Sequence, residues 1–300
     1  MLLVDSREYI HSNCYQKQLK ATLELHYDVR MVSLRDIRWL PWTNGGRYDL
    51  VLSVLKLRTL DMHLERIASY LAGRRLYIYE QDPWQAFMDS SPYRGAYQRI
   101  AARLDVAAFL LTSSWWRSYV TELGLPAKFV RMGMLPVYCD PGPDWDAREI
   151  RLGFQGTLHP HRKDFYAAVE LKGLRTEVLP PTAYDDYLKN LHRMRFFIHT
   201  EDAPWTVDGR AIPRNALWIK ETEVAARGTF AIRDHEEESA AYGIAELPTV
   251  RTFKNLEEIP DIVAGIESLS PSVRRDMMVS SAETMRRRDD WMTVVRALEP

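Results

Sequence analysis

DVAAFLLTSSWWRSYVTELG, residues 105–124, sets the fold class. The apolar run 106–112 reads as a buried strand. Ser113 or Ser114 follows as a helix cap, an amphipathic stretch runs through Leu123, and Gly124 stops it. Apolar or β-branched runs at 2–5, 28–34, 48–55, 75–80 and 128–132 repeat the strand half of this unit. Helical patterns lie between them. In 62–71, Leu64, Ile67, Ala68 and Leu71 recur at i, i+3, i+4 and i+7. This alternation predicts a largely parallel sheet covered by helices on both faces.

Composition then shifts. Residues 139–149 hold two prolines, a glycine and four acids, which predicts an exposed connector. Beyond it the alternation restarts, with strands at 151–154, 176–179, 196–200 and 229–233 and helices at 160–171, 183–191, 214–227 and 256–269. A polar loop is expected between the strand at 196–200 and the helix at 214–227. The expected organisation is an α/β domain at 1–138, a linker at 139–150 and a second α/β domain at 151–288. A last helical segment, 289–300, is expected to cross back to the first.

Forty basic residues stand against 41 acidic ones in 300, so no global field steers the chain to nucleic acid or anionic lipid. Two cysteines, Cys14 and Cys139, supply neither a disulfide framework nor a thiolate metal site. Asp5 interrupts any signal-peptide core, and no apolar run approaches a membrane span. A cytoplasmic protein is expected.

The chemistry concentrates in the second half. RLGFQGTLHPHRK, residues 151–163, reads as strand, glycine turn and helix start. Gly156 allows close backbone approach, and the helix N-terminus presents unpaired N–H groups to an anion. Arg162 adds a bidentate grip on phosphate oxygens and Lys163 a point charge. The bland alternative is a solvated basic first turn, although cations there oppose the helix dipole. PRNALWIKETEVAARGTF, residues 213–230, reads as a small-residue helix ended by Gly228 and leading into a strand. A carboxylate at Glu223 can accept from two ribose hydroxyls, since an ionised acid is acceptor-only. The alternative makes Glu221 and Glu223 solvent-facing helix acids.

Gly156, Pro160 and Arg162, followed by Lys220, Glu223, Ala226, Gly228 and Asp234, resemble the blocks of GT-B glycosyltransferases. Within them, the chain resembles the spore-maturation-protein glycosyltransferase-like group with its family-1-type C-terminal domain, over roughly 150–298. That resemblance implies two facing Rossmann-like α/β domains with parallel sheets and a nucleotide-sugar donor held mainly by the second. It also implies that Glu223 holds the donor ribose while Arg162 and Lys220 neutralise the diphosphate. Asn215 stands where retaining relatives carry a further glutamate.

Residues at strand ends of the first domain are candidates for the acceptor side, because ligands lie beyond the carboxyl ends of such strands. His11 and Asp82 are candidate catalytic bases, and Trp84 a stacking platform. Asp82-Pro83 is equally an ordinary turn signal. His199, Thr200 and Glu201 end a strand of the second domain and are expected to face the acceptor. Asp144-x-Asp146 lacks a preceding strand, and His159 with His161 lacks a third ligand, so no metal site or cofactor is expected. The expected function is metal-independent sugar transfer to an unidentified acceptor, either a glycan or a small molecule. The rivals are an epimerase or hydrolase on the same fold and a non-catalytic nucleotide-sugar-binding protein. A modified DNA base as acceptor draws no support from the near-zero charge.

Overall fold

The computed structural model describes residues 2–5, 15–36, 48–71, 73–200, 205–212, 219–234 and 237–299. The chain divides into two compact units. The first comprises Met1–Met132, Pro204–Ala216 and Asp290–Pro300; the second comprises Gly133–Ala203 and Leu217–Asp289.

The first unit holds a six-stranded, all-parallel sheet. Its strands are β1 (Leu2–Asp5), β2 (Arg30–Ser33), β3 (Val51–Ser53), β4 (Leu76–Glu80), β5 (Val106–Leu111) and β6 (Ala127–Phe129), in the order β2-β1-β3-β4-β5-β6. Helices α1 (Tyr15–Glu24), α2 (Leu57–Met62), α3 (Leu64–Leu71), α4 (Ala96–Arg103) and α5 (Ser114–Glu122) connect them. The unit that set the fold class forms as β5–α5. Ser113, not Ser114, is the cap, accepting from the N–H of Trp116 at 3.0 Å. Gly124 follows α5 at φ +75°, the left-handed conformation that ends helices. The 62–71 pattern resolves into two helices broken at His63, with Ile67, Ala68 and Leu71 buried on the inner face of α3.

The second unit holds a five-stranded parallel sheet, with β7 (Ile150–Gln155), β8 (Glu177–Leu179), β9 (Met194–His199), β12 (Phe230–Asp234) and β13 (Val250–Phe253) in the order β13-β12-β9-β7-β8. Helices α6 (Pro160–Leu171), α7 (Tyr184–Leu191), α8 (Ile219–Ala226), α9 (Glu237–Ala241), α10 (Ile259–Glu267) and α11 (Pro271–Arg287) complete it. The chain steps outward from β7 to β8, then returns to the other flank of β7 as β9. That reversal falls between β7 and β9, and such sheets bind ligands at the carboxyl ends of the strands beside it.

Two expectations about connections need correcting. The acid-rich segment after Cys139 keeps its acids exposed, as expected, but belongs to the second unit and is anchored there by two buried side chains. Trp145 is buried edge-on to Phe196 and Phe230. Arg148, also buried, donates to the carbonyls of Pro141, Leu191, Met194 and Arg227 and to the Thr229 hydroxyl. Five planar donors let a guanidinium satisfy itself on carbonyls without an acid, and burial pulls its pKa down to about 9.

The expected polar loop is a hairpin, β10 (Trp205–Val207) and β11 (Arg210–Ile212), that belongs to the first unit. Asp208 at φ +49° and Gly209 at φ +73° form its two-residue turn. Asp89 grips that turn, accepting from the N–H groups of Asp208 and Gly209 at 3.0 and 2.9 Å. The last helix, α12 (Met292–Leu298), is tied to the strand-β6 region: Thr293 accepts from the Arg131 N–H at 2.7 Å, and Lys128 donates to the Ala297 carbonyl at 2.8 Å.

Candidate functional site

The end of β7 carries the first element of the site. Gly156 adopts φ +147°, and a Cβ there would lie 2.4 Å from the Lys220 ammonium. The backbone conformation favours glycine, and a side chain there would have to displace the Lys220 ammonium. Lys220, on α8, uses that space to donate to the Gln155 carbonyl at 2.8 Å and to lie 4.7 Å above the Phe154 ring. Burial, with the charge of Arg162 adding to it, lowers its pKa to about 8. The sequence-derived pair of Gly156 and Lys220, 64 residues apart, is therefore one local structure.

Arg162 joins them, but not as the exposed side chain the helix start suggests. It is 7% exposed, donates to the Thr157 carbonyl at 3.0 Å and holds its guanidinium 5.4 Å from the Phe154 ring. Phe154 thus supports two cations through its ring face. Lys163, the next residue, is exposed; one helical step of about 100° separates the two environments.

Helix α8 corrects the reading of its acids. Residues Glu221 through Ala226 are all buried, Glu221 to 1% exposure and Glu223 to 3%. Neither acid faces solvent, because the small side chains Ala225 and Ala226 let neighbouring elements cover every side of the helix. The two differ in company. Glu221 accepts from Arg233, and His199 Nε2 stands 3.1 Å away. Burial alone would raise this acid, yet the charges of Arg233 and His199 hold it below the ordinary carboxylate range. Arg233 also pairs with Asp234 at 3.3 Å, and Thr200 donates to Asp234 at 3.1 Å. Glu223 receives the Tyr184 hydroxyl, with the Tyr187 phenol beside it, and burial pushes it up to about 7.

His199 is a further correction. It was expected to face an acceptor, but it is buried within the carboxylate network at the ends of β9 and β12. Burial lowers its pKa, against the opposing pull of Glu221. Arg233, Glu221, Tyr184 and Tyr187 escaped the sequence reading. The available signal was Arg233 itself, since an arginine inside an apolar strand calls for buried acceptors.

In the first unit Asp82 is 5% exposed and stands 3.6 Å from the Lys56 ammonium. Trp84 is buried, and Trp205 of the hairpin stacks on it at 5.4 Å. It is therefore an anchor for the hairpin and not an open platform. Asp144 and Asp146 pair with Arg275 and Arg274 at 3.4 and 3.6 Å. His159 and His161 stack on each other, and among the described residues no three metal-ligating side chains are grouped. His11, Glu201 and Asn215 lie outside the described residues.

Two units, each a parallel sheet covered by helices, the second with a strand-order reversal between β7 and β9, have the GT-B glycosyltransferase fold. Solved structures agree over the whole chain. HepE of Anabaena, solved with UDP and glucose, is 12% identical with a TM-score of 0.66, over 99% of this chain and 97% of that one. An α-glucosyltransferase solved with UDP-glucose and DNA containing an abasic site is 9% identical with a TM-score of 0.66, over 99% and 97%. The T4 phage β-glucosyltransferase is 10% identical with a TM-score of 0.63, over 100% and 99%. At these identities the likeness is one of fold. No family model and no curated protein matches the chain by sequence.

Proposed function

We propose that this chain is a glycosyltransferase that moves a sugar from a nucleotide-sugar donor to a hydroxyl-bearing acceptor. The donor diphosphate lies against the turn after β7, and its ribose against Glu223. The observation that carries this reading is the Lys220 ammonium held over the Gly156 turn, with Arg162 on the same aromatic ring. As the bond from sugar C1 to the phosphate oxygen breaks, negative charge develops on the diphosphate. Cations fixed beforehand stabilise that charge without reorganising.

Glu223 is built to take ribose hydroxyls. It is dry, close to Lys220 and already met by a tyrosine hydroxyl that a sugar hydroxyl can replace. The neutralising work assigned to Lys220 and Arg162 makes a divalent metal unnecessary. Activity is expected to survive EDTA; loss on chelation with recovery on added manganese would reverse that part of the proposal.

HepE and the α-glucosyltransferase were solved with UDP-glucose or its products, so UDP-glucose is the first donor to try. A thermal-shift screen of UDP-, GDP- and ADP-sugars tests the proposal. A donor at a hundred times its Kd adds about 2.7 kcal/mol of stability. No shift with any nucleotide sugar would contradict it. Turnover of the donor without transfer to any acceptor would favour the hydrolase or epimerase rival.

A further inference from the structure

Glu80 belongs to the first unit, not to that of the Gly156 turn. It closes β4, a strand buried at every position, and is itself 1% exposed. Both its carboxylate oxygens are engaged by backbone: Oε2 accepts the Leu57 N–H at 2.6 Å and Oε1 the Asp82 N–H at 2.6 Å. Leu57 directly follows Lys56, whose ammonium faces Asp82 Oδ2. One buried carboxylate therefore fixes the backbone on both sides of the Lys56–Asp82 pair. Asp82 Oδ1 is buried and has no hydrogen-bond partner among the described residues. A dry carboxylate oxygen left so is costly, and in native proteins such atoms call for a function.

We propose that Glu80 is the positioning residue of an acceptor site in the first unit, holding Asp82 and Lys56 so that Asp82 Oδ1 takes the proton of an acceptor hydroxyl. The proposal rests on the glycosyltransferase reading. In the step, the acceptor O–H bond breaks and its proton goes to Asp82. The acceptor oxygen bonds to sugar C1, and the C1–phosphate bond breaks with its electron pair leaving on the diphosphate. Four groups surround Glu80: Asp82, Lys56, Tyr79 and Tyr97. Burial, then the Asp82 charge, pushes Glu80 up to about 7, while Lys56 opposes. Burial and the two acids push both tyrosines well above their ordinary range, so they stay neutral. An ionised Glu80, acceptor-only at both oxygens, holds the Leu57 and Asp82 N–H groups and with them the placement of Asp82.

The test uses the full chain with UDP-glucose as probe and water as acceptor, reading UDP affinity and kcat at saturating donor between pH 6 and 8. Wild-type kcat is expected to rise across about pH 7 as Glu80 ionises. Glu80→Gln should keep UDP affinity within about twofold, lose roughly tenfold or more in kcat, and show no rise. Those changes follow from a misplaced base without its charged neighbour. If Glu80→Gln does not fold, Lys56→Met carries the test: removing the cation should move the rise to higher pH. Glu80→Gln with wild-type kcat and pH profile, or an unmoved rise in Lys56→Met, overturns the proposal alone. Wild-type protein that neither binds UDP nor releases it from UDP-glucose overturns the donor reading as well.

Discussion

The carboxyl ends of the two sheets carry buried acids in different company. In the second unit Glu221 lies between Arg233 and His199 and is held below the ordinary carboxylate range. In the first, Glu80 and Asp82 stand together with Lys56, and Glu80 is pushed up to about 7. Helix α8 repeats the contrast within one turn, since Glu223 is also pushed up to about 7 while Glu221 is not. Acids whose charge is already matched hold structure. Acids left poorly matched keep free energy in reserve for a ligand or a proton, the pattern expected of functional sites.

The largest effect should come from breaking the matched set. Glu221→Gln leaves Arg233 buried without its full counter-charge, and losing one partner of such a pair costs about 3–5 kcal/mol. Urea unfolding should show that loss without any nucleotide present. A variant as stable as wild type would mean the pair is not formed.

Lys220→Met comes next. It removes the ammonium from the Gly156 turn, and one charge-assisted contact of about 1.5–3 kcal/mol corresponds to a roughly ten- to hundredfold loss of nucleotide affinity. Isothermal titration with UDP measures it; unchanged affinity would take Lys220 out of the site. Arg162→Ala should show a similar loss of affinity together with some loss of stability, because its buried guanidinium lies over the Phe154 ring. Lost stability with wild-type UDP affinity would make Arg162 purely structural.

The smallest effect is a pH dependence of UDP affinity in the wild type. Affinity should rise as Glu223 ionises through about 7 and fall as Lys220 deprotonates above about 8. A flat profile would mean that neither group meets the ligand.

Both α/β units were legible in the sequence, because apolar runs, caps and glycine stops are local signals that β5–α5 and β7–α6 obey. The hairpin was legible but passed over. Asp208-Gly209 between Thr206-Val207 and Arg210-Ala211-Ile212 is a two-residue turn signal. That Gly156, Arg162 and Lys220 lie together was legible through the family resemblance, which grouped them. Their burial was not, since periodicity assigns one face of a helix to solvent and cannot see α8 covered all round. For the same reason the partnership of Glu221 with His199 and Arg233 was out of reach: it depends on β9 and β12 lying side by side. Trp84 failed as an open platform because its partner, Trp205, is distant in sequence.

Glu223 offers the most direct test, because two opposite signs are expected from one substitution. Its pKa is raised from the ordinary 4.5 to about 7, so the native protein binds more protons than the unfolded chain between those values. Ionised Glu223 therefore lowers stability as pH rises through that window, and the penalty is fully present above it. Glu223→Gln removes the penalty. In thermal melts without ligand, the variant should gain on wild type steadily from pH 5 to pH 8. In the same melts with saturating UDP-glucose at pH 8, it should lose most of the ligand-induced shift, because one acceptor prong and the charge are gone. A variant that is more stable alone and less stabilised by donor is the expected result. A variant that falls behind wild type in ligand-free stability as pH rises, or that keeps the full donor shift, would contradict the assignment of Glu223 to the ribose.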